Sequence, residues 1–159
     1  MATSTTIQYL VATGEDEFGN TVTLGASPSH RRQIETFIAG GAIAIGDWVQ
    51  FDTSATGASR VLTVIEAAAT FALGNPLVVG VAITAAAAAG DKVDVVVEGY
   101  VEGASVANAV AAAGVALVVD NTAAGQAVAL AAADTAGPCG VSLEAAAGNL
   151  CDVWVYKNF

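Results

Sequence analysis

The sequence predicts a mainly β protein: a compact antiparallel barrel or sandwich built from two tandem similar modules, with an extended N-terminal arm and at most short helices. Three observations carry this expectation. Short β-branched and aromatic runs are punctuated by glycine, two blocks of sequence recur in the same order, and the alanine runs are too short to nucleate helices.

Taken in order, Thr5-Thr6-Ile7-Gln8-Tyr9-Leu10-Val11 has strand character and is followed by the polar, turn-rich stretch Gly14-Glu15-Asp16-Glu17-Phe18-Gly19-Asn20. Such an arm either adds a strand to a neighbouring chain's sheet edge or closes its own barrel. Trp48-Val49-Gln50-Phe51, Val61-Leu62-Thr63-Val64-Ile65, Val93-Asp94-Val95-Val96-Val97-Glu98 and Val153-Trp154-Val155-Tyr156 suit pleated, half-buried strands. Ala85 to Ala89 has high helix propensity but too few residues for an isolated helix, so it reads as a loop. The pairs Gly90-Asp91 and Gly148-Asn149 tolerate positive φ and would close hairpins. Ser105 to Ala113 is the one candidate helix, with Ser105 as N-cap and Gly114 as its stop.

Sliding the chain on itself aligns Gly46 to Gly57 with Gly114 to Gly125 without gaps, superposing Gly46 on Gly114, Asp52 on Asp120 and Gly57 on Gly125. Further on, Gly80-Val81-Ala82-Ile83-Thr84 matches Gly140-Val141-Ser142-Leu143-Glu144, and Gly90-Asp91-Lys92-Val93 matches Gly148-Asn149-Leu150-Cys151. The lead-in Phe37-Ile38-Ala39-Gly40 resembles Tyr100-Val101-Glu102-Gly103. The expected organisation is an arm and lead-in over residues 1–36, one module over 37–99 and a second over 100–159, forming one structural unit.

Composition narrows the function. The chain is 55% hydrophobic, only 13% charged, and much of its apolar content is alanine, which buries little area. Contacts between chains are therefore expected to supplement the core, which points to an oligomer or a surface-bound subunit. Fifteen acidic against five basic side chains give a net charge of -10, which opposes binding to nucleic acid or to anionic membranes. The most apolar window, Ala104 to Val119, is interrupted by Asn108 and Gly114 and falls short of the roughly 20 apolar residues of a spanning helix. The start Met1-Ala2-Thr3-Ser4-Thr5-Thr6 has neither a basic segment nor an apolar stretch after it, so synthesis in the cytoplasm without a secretory signal is expected.

No catalytic constellation emerges. His30, the single histidine, sits in Ser27-Pro28-Ser29-His30-Arg31-Arg32 with no nucleophile elbow near it, and reads as a polar surface residue. Arg31 and Arg32 form the only adjacent basic pair, which either docks on an acidic partner or pairs with the chain's own carboxylates. Cys139 and Cys151 align with Val79 and Val93 and read as small core hydrophobes. Pairing 139–143 with 151–155, Cys139 opposite Val155, separates the two sulfurs too far for a disulfide. Asp52 and Asp120 lack the alternating acidic ligands of a calcium loop and read as turn caps. Neither a phosphate loop nor a pair of catalytic carboxylates can be isolated, so no enzyme, cofactor or metal is expected.

The phrase Val79-Gly80-Val81-Ala82, an alanine run, Gly90-Asp91-Lys92-Val93-Asp94-Val95 and Glu98-Gly99-Tyr100-Val101 resembles small head proteins of tailed phages used as capsid decoration, or cement. The likeness covers most of residues 37–157. It implies a β-barrel or β-tulip subunit without cofactor, commonly a homotrimer, on the outside of the virion. There it would bridge neighbouring major capsid proteins. The expected capsid-binding edge combines Ile7, Tyr9 and Val11 of the arm with Arg31 and Arg32. The rival expectations are a tail- or fibre-associated virion protein and a cellular β-rich adhesive or surface module.

Overall fold

The computed structural model describes residues 12–15, 21–24, 32–67, 75–107, 110–120, 122–131 and 137–157. The protein is mainly β, and the chain divides into two units, Met1–Arg31 and Arg32–Phe159. In the first, β1 (Ala12–Glu15) and β2 (Thr21–Leu24) form an antiparallel pair with Ala12 opposite Leu24 and Glu15 opposite Thr21. The stretch expected to be turn-rich from Gly14 therefore begins within a strand. The strand expected over Thr5 to Val11 lies outside the described residues.

In the second unit, five strands close a barrel: β3 (Arg32–Ala39), β4 (Trp48–Phe51), β5 (Thr63–Glu66), β6 (Val78–Ala82) and β7 (Lys92–Ser105). They follow the order β3-β5-β4-β6-β7, and β7 returns to pair with β3. Every pairing is antiparallel except β3 with β5. From the far end of β7 the sheet continues through β11 (Leu150–Val155), β10 (Gly140–Ser142), β8 (Ala116–Val119) and β9 (Ala127–Ala129). A parallel bridge between Val106 and Ala127 draws β9 back toward the end of β7. The pairing order β7-β11-β10-β8-β9 thus follows β3-β7-β6-β4-β5 strand for strand, including the single parallel contact.

β7 belongs to both halves, so it runs through the expected boundary between residues 99 and 100. It changes hands over a stretch with two glycines in the left-handed region, Gly99 (φ 110°) and Gly103 (φ 66°), and its register against β11 shifts at the second, between the Val153–Val101 and Cys151–Ala104 pairs. Matching residues by their partners sets Phe37, opposite Val93, against Ala104, opposite Cys151. The lead-in match of Phe37 with Tyr100 expected from sequence is displaced accordingly.

Two cores explain the apolar run Val95-Val96-Val97. Val95 and Val97 point into the barrel with Phe37, Val49, Val64 and Val93, where the Phe37 and Phe51 rings meet edge to face at 6.2 Å and 70°. Val96 points out of the barrel, yet it is buried beneath the second half, together with Trp48 and Val81. A strand covered on both faces needs no alternation. Trp48 is wholly buried; its indole Nε1 donates to the Ser105 carbonyl at 3.1 Å and its ring reaches Gly140, packing with Leu117, Val153 and Val155. A side chain of the first half thus fills the core of the second.

Three local expectations differ from the structure. Val61 and Leu62 are not in strand β5 but in the one-turn 3-10 segment Gly57–Val61 and the turn after it. Ser105 ends β7 and Val106 makes the bridge to β9, so the expected helix from Ser105 to Ala113 does not form among the described residues; burial of Val106 and Val110 overrides alanine's propensity. β10 and β11 pair with Gly140 opposite Val155 and Ser142 opposite Val153, one residue from the expected register. Gly140 is needed there because a Cβ would stand 2.7 Å from the Trp154 carbonyl oxygen.

Candidate functional site

Of the five residues expected to bind a capsid, Ile7, Tyr9, Val11 and Arg31 lie outside the described residues, as does His30. Arg32 opens β3 opposite Gly99, half-buried, and its Nε is buried without a hydrogen-bond partner. Arg60 is occupied internally, donating from Nε to the Ala55 carbonyl at 2.7 Å.

The acidic residues sort into structural roles. Asp52 Oδ1 accepts from the Ser54 amide (2.9 Å) and hydroxyl (2.6 Å), and Asp120 Oδ1 accepts in the same way from Thr122 (2.7 and 2.8 Å), so both cap turns. These bonds hold the Asp52 carboxyl below its ordinary pKa. The Asp47 and Glu66 carboxyls lie close to each other where the halves meet, with Asp47 packed on Gly125 and accepting from the Ala44 amide at 2.8 Å. Burial raises both pKa values, and the Asp47 charge raises that of Glu66 further. Cys139 and Cys151 are free and buried; burial pushes the Cys139 thiol up to about 12. Among the described residues, no group of three or more His, Cys, Asp or Glu is placed to hold a metal ion, and no helix is long and apolar enough to cross a membrane.

The most distinctive surface is a row that no single segment of sequence contains. On the outer face of β8, β10, β11 and β7, Ala116 lies opposite Val141, Val141 opposite Trp154, and Trp154 opposite Tyr100. All four are half-buried. Tyr100 donates its hydroxyl to Asp152 Oδ2 at 2.7 Å, and the other oxygen of Asp152 accepts from the Gly103 amide at 3.1 Å. The bond to Asp152, with partial burial, pushes the phenol up to about 12 and fixes the ring beside Trp154. Exposed Glu98 and Glu102 flank Tyr100 along β7.

No family model and no curated protein sequence matches the chain.

Sequence reasoning found no aromatic cluster here because Tyr100 and Trp154 are joined only by the β7–β11 register. The available signal was the alternation Val153-Trp154-Val155-Tyr156, which puts Trp154 on the face opposite its valines, and its match to Val96 in the other block.

Proposed function

We propose that the chain is a tandem pair of one β module and serves as a structural virion protein that binds the outside of an assembled phage capsid. The finer fold in this reading is β-tulip-like, with residues 1–31 as the arm. The subunit is a homo-oligomer, a trimer by the resemblance, and its partner is the major capsid protein. It carries no catalytic site, and is made in the host cytoplasm before joining the virion.

The tandem reading is supported by hydrogen bonds that recur at matched positions. The Gly46 amide donates to the Ala82 carbonyl at 2.8 Å, as Gly114 does to Ser142 at 2.8 Å. The Ile83 amide donates to the Asp94 carbonyl at 2.8 Å, as Leu143 does to Asp152 at 2.7 Å. Gly80 and Gly140 both lie against the carbonyl of the facing strand, Val96 in one half and Trp154 in the other.

The observation that carries the capsid reading is the phrase running from Val79 to Val101, which folds as the β6–loop–β7 hairpin of the barrel. The charge of -10 fits a subunit outside the shell, where it does not compete with the genome for capsid contacts. A protein that binds only the assembled lattice stabilises that lattice by mass action, and several linked arms strengthen the attachment by avidity.

Co-sedimentation with expanded capsids tests this directly. The full chain is expected to pellet with capsids, and deleting residues 1–12 is expected to abolish pelleting while leaving the body's thermal unfolding unchanged. Full binding by the truncated chain would reject the arm as the docking element. A full chain that stays in the supernatant would reject capsid decoration.

A further inference from the structure

Matched faces of the two halves are covered unequally. In the first half, Trp48, Val81 and Val96 stand side by side across β4, β6 and β7, and each is 0% exposed because the second half packs over them. In the second half the matching row, Ala116, Val141 and Trp154, has the same cross-strand order but is half-exposed. An apolar row with a tryptophan in it is an unusual surface to leave uncovered.

The junction inside the chain shows what such a row receives. Ser105 and Gly125 lie over Trp48: its indole donates to the Ser105 carbonyl (3.1 Å) and its amide to the Gly125 carbonyl (2.9 Å). The Ser105 amide donates to the Gly46 carbonyl at 2.8 Å. By strand pairing, the first-half residues matching Ser105 and Gly125 are Ile38 and Leu62, the latter in place of the Gly57 that the gapless sequence alignment sets against Gly125. Ile38 pairs with Lys92 as Ser105 pairs with Leu150, and Leu62 precedes Thr63, whose carbonyl accepts from Asp52 as that of Gln126 accepts from Asp120. Ile38 and Leu62 are 43% and 51% exposed, and Val61 beside them 60%.

Size is exchanged between the two surfaces. Inside the chain a large Trp48 meets small Ser105 and Gly125. The uncovered row offers a small Ala116, and the uncovered edge offers large Ile38 and Leu62. We propose that the Ala116–Val141–Trp154 face of one copy receives the Ile38–Leu62 edge of a second copy. The contact is head to tail and uses the matched side-chain positions with the sizes reversed; it does not reuse the junction's backbone hydrogen bonds, because the Ile38 amide donates to the Leu62 carbonyl at 2.9 Å within the edge itself. It joins two different patches rather than one patch to itself.

The proposal rests on the tandem-module reading and is independent of capsid binding, so it is tested on the purified protein alone by sedimentation velocity. The wild-type chain is expected to sediment as an oligomer. Ile38→Glu with Leu62→Glu removes the edge and Val141→Glu removes the face, so each variant alone should sediment at the chain mass with an unchanged far-UV spectrum. An equimolar mixture should gain a species of twice the chain mass, because one intact face and one intact edge remain. Should Val141→Glu unfold the chain, Ala116→Trp serves as the block on the face. A monomeric wild type, variants that keep the oligomer, or a mixture that stays monomeric would each overturn the proposal. Assembly without capsid pelleting would uphold it and reject the capsid reading alone.

Discussion

Replacing Trp48 by alanine removes the largest wholly buried side chain among the described residues. Truncating a packed aromatic residue costs about 3–5 kcal/mol. Loss of the indole hydrogen bond to Ser105 adds about 1 kcal/mol. The sum, about 4–6 kcal/mol, is comparable to the total stability of a typical domain, about 5–15 kcal/mol. Trp48→Phe keeps most of the packing and loses the hydrogen bond, so it should cost about 1–2 kcal/mol. Urea denaturation followed by far-UV circular dichroism measures both, with fluorescence of Trp154, the other of the chain's 2 tryptophans, as a second probe. Amide exchange in Trp48→Ala should accelerate first in β8 to β11, whose core the indole fills, and last in the barrel held by Phe37, Phe51 and the β7 valines. A Trp48→Ala variant within about 1 kcal/mol of wild type would refute the idea that one half supplies the core of the other.

Gly140→Ala should destabilise by about 1–3 kcal/mol, because the new Cβ would stand 2.7 Å from the Trp154 carbonyl and 3.0 Å from the Trp48 ring. Gly41→Ala, with nothing within 4 Å of the new Cβ, should stay within about 0.5 kcal/mol of wild type by the same denaturation assay. The raised pKa values of Asp47 and Glu66 mean that the folded chain holds these protons more tightly than the unfolded chain does. Their contribution is complete below the ordinary carboxylate value, about 4, and is lost as pH rises through the raised values. Glu66→Gln removes one of these titrations, so its melting temperature should fall less than that of wild type between about pH 4 and neutrality; superposable curves would contradict this. Burial and a pKa of about 12 make the Cys139 thiol inert in the folded protein. A thiol-specific reagent should modify neither cysteine of the native chain and both in denaturant.

Much of the fold was legible where local chemistry and tertiary environment agree. Val93 to Val97 and Trp48 to Phe51 are β-branched or aromatic runs that became strands, and the alanine run after Ala82 became the expected loop before Gly90. Ser105 to Ala113 misled because its helix propensity is real but weaker than burial of Val106 and Val110. The β10–β11 register depends on the approach of Gly140 to a backbone carbonyl, a contact that leaves no trace in local pattern. The surface row was illegible for a related reason: Tyr100 and Trp154 become neighbours only through strand pairing. The exchange of Trp48 for Ala116 was written in the sequence alignment, whereas that of Phe37 for Ala104 appears only through strand pairing. Its meaning, that one half fills the other's core, required the junction.

The most direct test of a capsid-stabilising role is scanning calorimetry of expanded capsids with increasing amounts of the purified chain. Preferential binding to the intact shell predicts that the shell's transition moves to higher temperature as the chain is added and levels off once its sites are filled. A transition that does not move at any concentration, with the chain absent from the sedimented capsids, would contradict the account.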